Sequence, residues 1–408
     1  MRSPAPEPRP ALLALYWLGI QAVWGALLAI SLQARSAELA GANAVAAYGV
    51  LAISGAVVAA IVQIAAGFAS DRRRRSSRDR VAFYVLGGGA GSAGIVWFYL
   101  APSFAAVVAA YAIVQFGLNV AMAAYQPVIP DVGDRATTGV ASSWMAGFQS
   151  LGNAIGAIVA AKVGDARIVA ATIVALLLAT LAATSAHVAR LPLNPPVDDA
   201  PVATARGAFA TLFGSRLLVY VGFFTLLGYL YFYVAVSAPP GSTIADHRAT
   251  SGLMVLAFTV AGAIGAALAA GPSDRADKRV VASAGCAGVI LALIALVVVR
   301  GGYLAFAATA FAGASWGVFL VADWALACRV LPRYALATSM AAWNLAIVVP
   351  QILAPLFTGL VLAFFHVAAD RIPSAAFSLA CIELVLGIFW LLRLPGGVAR
   401  NNAPGVLC

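Results

Sequence analysis

Charged residues are scarce in this chain. Asp, Glu, Lys and Arg make up 10% of its 408 residues, whereas a soluble globular domain carries about a quarter. Hydrophobic residues make up 63%, and the mean hydropathy is +0.95. So little polar surface cannot cover a water-soluble globule, and we therefore expect lipid to solvate most of the chain.

Residues that commonly hold metals or cofactors are also few. The four cysteines and three histidines are scattered and lack metal-ligand spacing, and no phosphate-binding loop of the Walker type is present. The net charge of +10 comes from basic residues dispersed over loops, which suits anionic lipid headgroups better than nucleic acid. We expect no cofactor, no metal, no nucleic-acid partner and no enzymatic activity.

Long apolar runs are what the sequence has in place of charge. A membrane-spanning helix needs about 20 apolar residues, and its backbone groups pair internally. Charge-free runs, divided at Pro, Gly and polar breaks, predict an all-α membrane protein with about twelve transmembrane helices. The predicted spans are 11–34, 44–69, 81–100, 104–128, 138–161, 168–186, 217–237, 251–270, 280–299, 303–327, 337–364 and 374–395.

The basic residues predict how these spans are oriented. Most of the 25 lysines and arginines fall in alternate loops, including the N-terminal segment and the loop after the second span. Loops rich in Lys and Arg stay on the cytoplasmic side. We therefore expect a multi-pass protein of the inner membrane with both termini in the cytoplasm.

One short signature occurs twice, about half a chain apart. Residues 67–75 end the second span and begin the loop after it, and residues 271–279 follow the eighth span. A polar, proline-rich stretch between the two copies cannot continue a helix. The sequence therefore predicts an N-terminal six-helix bundle (1–186), a cytoplasmic linker (187–216) and a C-terminal six-helix bundle (217–408).

The repeated signature carries a family resemblance. Residues 67–75 resemble the loop Gly-x-x-x-Asp-Arg-x-Gly-Arg-Arg of the major facilitator superfamily, although Arg74 stands where a glycine is usual. Further matches, at 323–326, 330–332 and 343–355, resemble the branch of sucrose transporters and glycoside–cation symporters. The resemblance covers nearly the whole chain and implies two pseudo-symmetric six-helix bundles that transport a solute by alternating access.

The resemblance implies a conformational role for the signature. Gly67 lets another helix approach closely, and Asp71 can accept hydrogen bonds from a helix N-terminus, by resemblance that of span eleven. The arginines can bridge to acids across the cytoplasmic seam, or they can serve only as a basic loop that sets topology. The residues of this set are Gly67, Asp71, Arg72, Arg75, Asp274 and Arg275.

Two acids, Asp323 and Glu383, lie inside predicted spans. A charge in the bilayer is costly, so both are candidates for coupling or gating. Asp323 is interpreted as a proton acceptor or substrate anchor, or as a cytoplasmic gate residue that pairs with Arg329 or Arg333. The alternative for Glu383 is simple packing against a polar neighbour in a peripheral span.

Neutral amides and aromatic residues recur on single helix faces of several spans. Amides supply directional donors and acceptors, and aromatic faces stack on the apolar surfaces of rings, a combination that suits a neutral, hydroxyl-rich solute. The alternative is hydrogen bonding between helices, or tyrosines at the membrane surface. The predicted substrate-binding residues are Gln21, Trp24, Gln115, Asn119, Tyr229, Trp316 and Asn344.

The sequence thus predicts a monomeric secondary transporter for a small organic solute, with a sugar or glycoside favoured. Coupling to H⁺ or Na⁺ stays open. The alternatives are an efflux pump for amphipathic compounds and a non-transporting membrane sensor or scaffold. The first is weakened because Ile113 stands four residues before Gly117, where the family's proton-coupled drug exporters have an arginine.

Overall fold

The chain folds into long helices that run back and forth through one bundle. The computed structural model describes residues 7–132, 135–194, 203–330 and 336–395, and no β-strand occurs in these ranges. The α-helices in chain order are α1 (Pro10–Ala14), α2 (Tyr16–Ala26), α3 (Leu32–Ala40), α4 (Ala44–Arg72), α5 (Ser77–Leu100), α6 (Phe104–Tyr125), α7 (Val128–Val132), α8 (Arg135–Lys162), α9 (Ala166–Val188), α10 (Ala203–Ser237), α11 (Ile244–Arg275), α12 (Lys278–Val298), α13 (Gly302–Val330), α14 (Leu336–Phe364) and α15 (Ile372–Leu391). The predicted all-α membrane fold is confirmed.

Ten helical segments of the described residues are long and apolar enough to cross a bilayer. The first, Pro10–Arg72, has 63 residues and would be about 95 Å long as one straight helix, about three times the hydrocarbon thickness. The chain reverses direction at Gly41, whose positive φ of +51° is a backbone conformation that glycine adopts readily. Dividing this segment there, and adding the 28-residue α8, gives the predicted number of passes.

Helix α10 begins well before its predicted span. It starts at Ala203, inside the predicted linker 187–216, so the second half of that linker is helical. Ala208 and Leu212 are buried, and the Phe209 ring lies 6.2 Å from that of Trp343 on α14. Packing against α14 therefore stabilises the start of α10, which lies before the apolar run that predicted the span.

Contacts are dense within two groups of helices, which we call the first helix set (α1–α9) and the second helix set (α10–α15). In the first set α2 packs on α8 and α9, and α6 on α4 and α5; in the second, α11 and α12 pack on α13, and α10 on α14 and α15. Contacts between the sets are concentrated at α4–α14 and α8–α11. The division into two independent bundles stays a prediction.

Glycines bring α2 and α8 into backbone contact. A Cβ atom added to Gly152 would lie 2.3 Å from the Leu18 carbonyl oxygen, and one added to Gly156 would lie 1.9 Å from that of Ala22. Helices associate in lipid through such close approach. No hydrophobic driving force acts between them there, and small residues allow close van der Waals packing instead. The two helices are therefore held together by close packing that a larger side chain cannot enter.

We predict that Gly156→Val destabilises the protein by about 2 kcal/mol or more, because the added carbons force the backbones of α2 and α8 apart. Gly147→Val is the matched control, since Gly147 lies on the same helix with open space around it. Melting temperatures of the detergent-purified variants, measured by size-exclusion chromatography after heating, check this. Equal melting temperatures would contradict it.

Candidate functional site

The two ends of the molecule differ in how the helix sets meet. We call the end that carries the loops 73–76 and 276–277 the basic end. In the first pass, α1 and α2 lie on the basic side and pack on α7, α8 and α9, whereas residues 27–40 pack on α10 and α11 of the other set. Along this first pass, the two helix sets are therefore in contact at the end opposite the basic end. Toward the basic end they separate from each other.

A tyrosine and a glycine make one of these contacts near the opposite end. A Cβ atom on Gly228 of α10 would lie 2.4 Å from the Tyr48 hydroxyl oxygen of α4. The Tyr48 ring also meets Phe232 edge-on, with ring centroids 6.0 Å apart. Nearby, a Cβ on Gly252 of α11 would lie 2.1 Å from the Ala161 Cβ of α8. Glycines of the second set thus receive side chains of the first.

An ion cluster bridges the sets at the same end. Glu38 of α3 lies 2.7 Å from Arg35 and 3.8 Å from Arg248 of α11. Arg248 also donates to the Ala160 carbonyl of α8, at 3.0 Å. Because Glu38 is about one-third exposed, the pair is screened and stabilises little. Its charges can therefore separate at low cost when the helix sets move apart.

A denser ion network lies at the basic end, within the first helix set. Arg80 of α5 is buried and contacts Asp71 and Asp131, each at 3.0 Å, and it donates to the Ser70 hydroxyl at 2.7 Å. Arg74 also lies 3.0 Å from Asp131. The network ties α4, α5 and α7 together, so the aspartate of the sequence signature stabilises its own bundle.

The remaining residues of the predicted conformational set are placed as follows. Gly67 is buried on α4, the Arg72 guanidinium lies 4.2 Å above the Phe68 ring, and the Arg75 backbone N–H donates to the Asp79 carboxylate. The side chains of Asp274 and Arg275 lie outside the described residues. Bridging by Arg72 and Arg75 across the seam stays a prediction.

Asp323 forms a buried ion pair in the second helix set. Its carboxylate accepts a hydrogen bond from Arg216 of α10, and both side chains are at most 5% exposed. The Arg216 guanidinium also lies 4.3 Å from the Trp343 ring and 5.0 Å from the Tyr220 ring. The observed partner is thus Arg216; the side chains of the predicted gate partners Arg329 and Arg333 lie outside the described residues.

The other intramembrane acid, Glu383, is buried between α15 and α10. Its Oε2 accepts a hydrogen bond from the Thr225 hydroxyl at 3.2 Å. The two acids that the sequence singled out therefore have different surroundings, one an arginine and the other a hydroxyl.

The predicted amides of α6 bond to one another. The Asn119 side chain donates to the backbone and side-chain oxygens of Gln115, at 2.8 and 3.0 Å, and the Gln115 amide donates to the Tyr111 hydroxyl at 2.7 Å. Gln115 and Asn119 are buried. In this conformation they form a polar ladder along one helix.

Asn344 links the two helix sets. Its side-chain amide on α14 donates to the Gln63 side-chain oxygen on α4, at 2.7 Å. Gln63 is fully buried, and sequence reasoning missed it. The available signal was a lone amide in the apolar second span, a type of residue that often hydrogen-bonds across helices. The bond lies on the α4–α14 seam, where any relative motion of the sets must act.

Two aromatic residues form a stacked platform in the second helix set. Trp316 of α13 lies parallel to Phe223 of α10, with ring centroids 4.2 Å apart and an interplanar angle of 9°. Trp316 is buried and Phe223 is partly exposed. In the first set, Gln21 and Trp24 are partly exposed on α2, whereas Tyr229 of α10 is buried. The partly exposed members of the predicted site are therefore neutral.

Comparison with known proteins gives a family for this arrangement. The model of the Major Facilitator Superfamily matches residues 11–354. No curated protein matches the chain in sequence.

Solved transporters share the fold at low sequence identity. A POT family peptide transporter is 12% identical with a TM-score of 0.72, over 98% of this chain and 99% of that one. The nucleoside transporter NupG is 13% identical with a TM-score of 0.68, over 95% and 100%. A D-xylose–proton symporter is 16% identical with a TM-score of 0.65, over 92% and 96%. Their different substrates mean that the fold alone does not assign a solute.

We predict that Arg80→Gln destabilises the protein by about 3 kcal/mol, because it removes the buried guanidinium that joins the Asp71 and Asp131 carboxylates. Arg78→Gln, an exposed arginine two residues earlier, should change stability by less than about 0.5 kcal/mol. Thermal unfolding in detergent compares the two. A similar effect of both substitutions would show that the network is not needed.

A second prediction concerns the Arg216–Asp323 pair. Either Arg216→Met or Asp323→Leu alone should cost about 3–5 kcal/mol, because each leaves a buried charge without its partner. The double variant should recover most of this loss, since apolar residues of similar volume often replace a buried pair without cost. A double-mutant cycle on melting temperatures measures the recovery, and additive losses would contradict the prediction.

Proposed function

Because the chain belongs to the major facilitator superfamily, we propose that its substrate is a small neutral organic solute, with a sugar or glycoside favoured. The protein is a multi-pass membrane transporter of the alternating-access type. We further propose that it carries out no chemistry on its solute, acts as a monomer and lies in the inner membrane with its basic end in the cytoplasm.

Alternating access requires one end to be closed while the other is open. The Tyr48–Gly228 contact and the Glu38–Arg248 ion pair join the helix sets at the end opposite the basic end. Under the proposed orientation, the structure is closed to the outside. Outward opening would then separate these two contacts while α4 and α14 slide along the seam that carries Asn344.

The observation that carries the solute proposal is the Phe223–Trp316 platform. The partly exposed Phe223 ring can stack on the apolar face of a sugar ring, and Trp316 holds it in place from behind. The charge of Asp323 in the same set is balanced by Arg216 and buried. A neutral solute is favoured because this part of the second helix set offers aromatic faces and no uncompensated charge.

Amides supply the polar contacts that a hydroxyl-rich solute needs. Gln21 lies partly exposed on α2, and Asn344 lies partly exposed on α14. The Asn344–Gln63 bond can be exchanged for bonds to solute hydroxyls, because one amide offers two donors and an acceptor. We assign the Arg216–Asp323 pair a positioning role, since it fixes α10 to α13 beside the platform, and a coupling or gate role for Asp323 stays a prediction.

We predict that neutral sugars or glycosides exchange through the purified protein in proteoliposomes. Entrance counterflow of radiolabelled solutes measures this exchange without requiring knowledge of a coupling ion. Phe223→Leu should raise the half-saturation concentration by about three- to tenfold, because it removes a stacking interaction of about 0.5–1.5 kcal/mol. Phe116→Leu is the control, since Phe116 is half-exposed on the outer face of α6.

Two outcomes would overturn this assignment. Exchange of organic acids but not of neutral sugars would identify a charged solute. Export of amphipathic compounds with no counterflow of any sugar would favour an efflux pump.

A further inference from the structure

Three side-chain oxygens meet inside the second helix set, at the junction of α10, α14 and α15. They belong to Thr225 of α10, Thr358 of α14 and Glu383 of α15. Both threonines are fully buried, and Glu383 is 5% exposed. One polar group from each of three helices therefore meets at a single buried junction.

The spacing of these oxygens is wider than that of ordinary hydroxyl hydrogen bonds. The Thr225 Oγ1 atom lies 3.2 Å from Glu383 Oε2 and 3.4 Å from Thr358 Oγ1, whereas O–H···O bonds centre on about 2.7–2.8 Å. Oxygen ligands held about 2.4 Å from a hard cation lie about 3.4 Å apart when they subtend a right angle at it. The separations fit adjacent ligands of one ion.

One oxygen of this cluster lacks a partner. Glu383 Oε1 is buried and has no hydrogen-bond partner among the described residues. The Thr225 hydroxyl has a single proton, which it donates to Oε2. Arg216 of α10 lies more than two turns away and is paired with Asp323. A buried carboxylate in this position needs either a bound cation or a bound proton.

We propose that Glu383, Thr225 and Thr358 bind a sodium ion. A monovalent cation balances the single carboxylate, whereas a divalent cation would leave a buried positive charge. An ion that is held by both carboxylate oxygens satisfies Oε1 and draws α10, α14 and α15 together.

The position of this site suggests how the ion acts on transport. Thr225 lies two residues after Phe223, so the ion fixes the segment of α10 that carries the aromatic platform. Thr358 lies on the same helix as Asn344, which contacts α4 across the seam. The role in coupling rests on the proposed transport function, whereas binding of the ion itself does not.

The test measures sodium binding to the detergent-purified full chain without any solute. Melting temperature is followed in NaCl and in choline chloride at equal concentration, and ²²Na⁺ binding is measured in parallel. Sodium should raise the melting temperature of the parent, since a ligand of the folded state stabilises it. Glu383→Gln should abolish both signals, and Thr358→Val should weaken ²²Na⁺ binding about tenfold or more.

Two further variants control for folding and for charge. Thr358→Ser keeps the hydroxyl and should keep sodium binding, which separates loss of a ligand from loss of packing. Asp370→Asn removes an exposed carboxylate just before α15 and should leave the sodium response unchanged.

A melting temperature that does not respond to sodium would overturn the proposal, as would an equal response in Glu383→Gln. A parent that responds to pH but not to sodium would identify a proton site instead. If ²²Na⁺ binds as expected but no sugar shows counterflow, the sodium site stands and the proposed solute is wrong.

Discussion

Lipid offers no hydrogen bonds, and this constraint shapes every polar feature of the structure. A buried polar group must find its partner inside the protein or pay several kcal/mol. Arg216 therefore pairs with Asp323, Asn344 bonds to Gln63, and the amides of α6 bond to one another. Charge is scarce in the sequence because each charged residue within the bilayer needs such a partner, and partners are few.

The same constraint separates the rigid parts of the molecule from the parts that can move. Within a helix set, backbones meet at glycines such as Gly156, and buried ion pairs such as Arg80–Asp131 cannot be broken cheaply. Between the sets, the polar contacts of the described residues include a partly exposed ion pair at Glu38, a hydrogen bond from Arg248 to the Ala160 carbonyl and a neutral amide bond at Asn344. Alternating access becomes feasible because the strong interactions lie inside the moving bodies and the weak ones lie between them.

Sequence reasoning predicted the features that local sequence patterns encode. It missed the contacts between residues that lie far apart in the chain. Charge-free runs located the passes because helix length is set by bilayer thickness, and the extension of α10 was missed because contact with Trp343 drives it. Asp323 was found because an acid in an apolar run is conspicuous, but its partner Arg216 was not. The Asp323 and Arg216 side chains come into contact only in the folded protein. No sequence periodicity relates positions on two separate helices.

Asp323 and Glu383 show why residue type alone could not assign the candidate site. Both are single acids in apolar helices, and sequence reasoning made both of them candidates for coupling or gating. Asp323 meets a guanidinium, which supplies its counter-charge permanently and suits it to hold helices together. Glu383 meets hydroxyls, which carry no charge and leave one carboxylate oxygen without a partner. An acid that lacks a fixed counter-charge is the one whose partner can come and go, and a transported ion is such a partner.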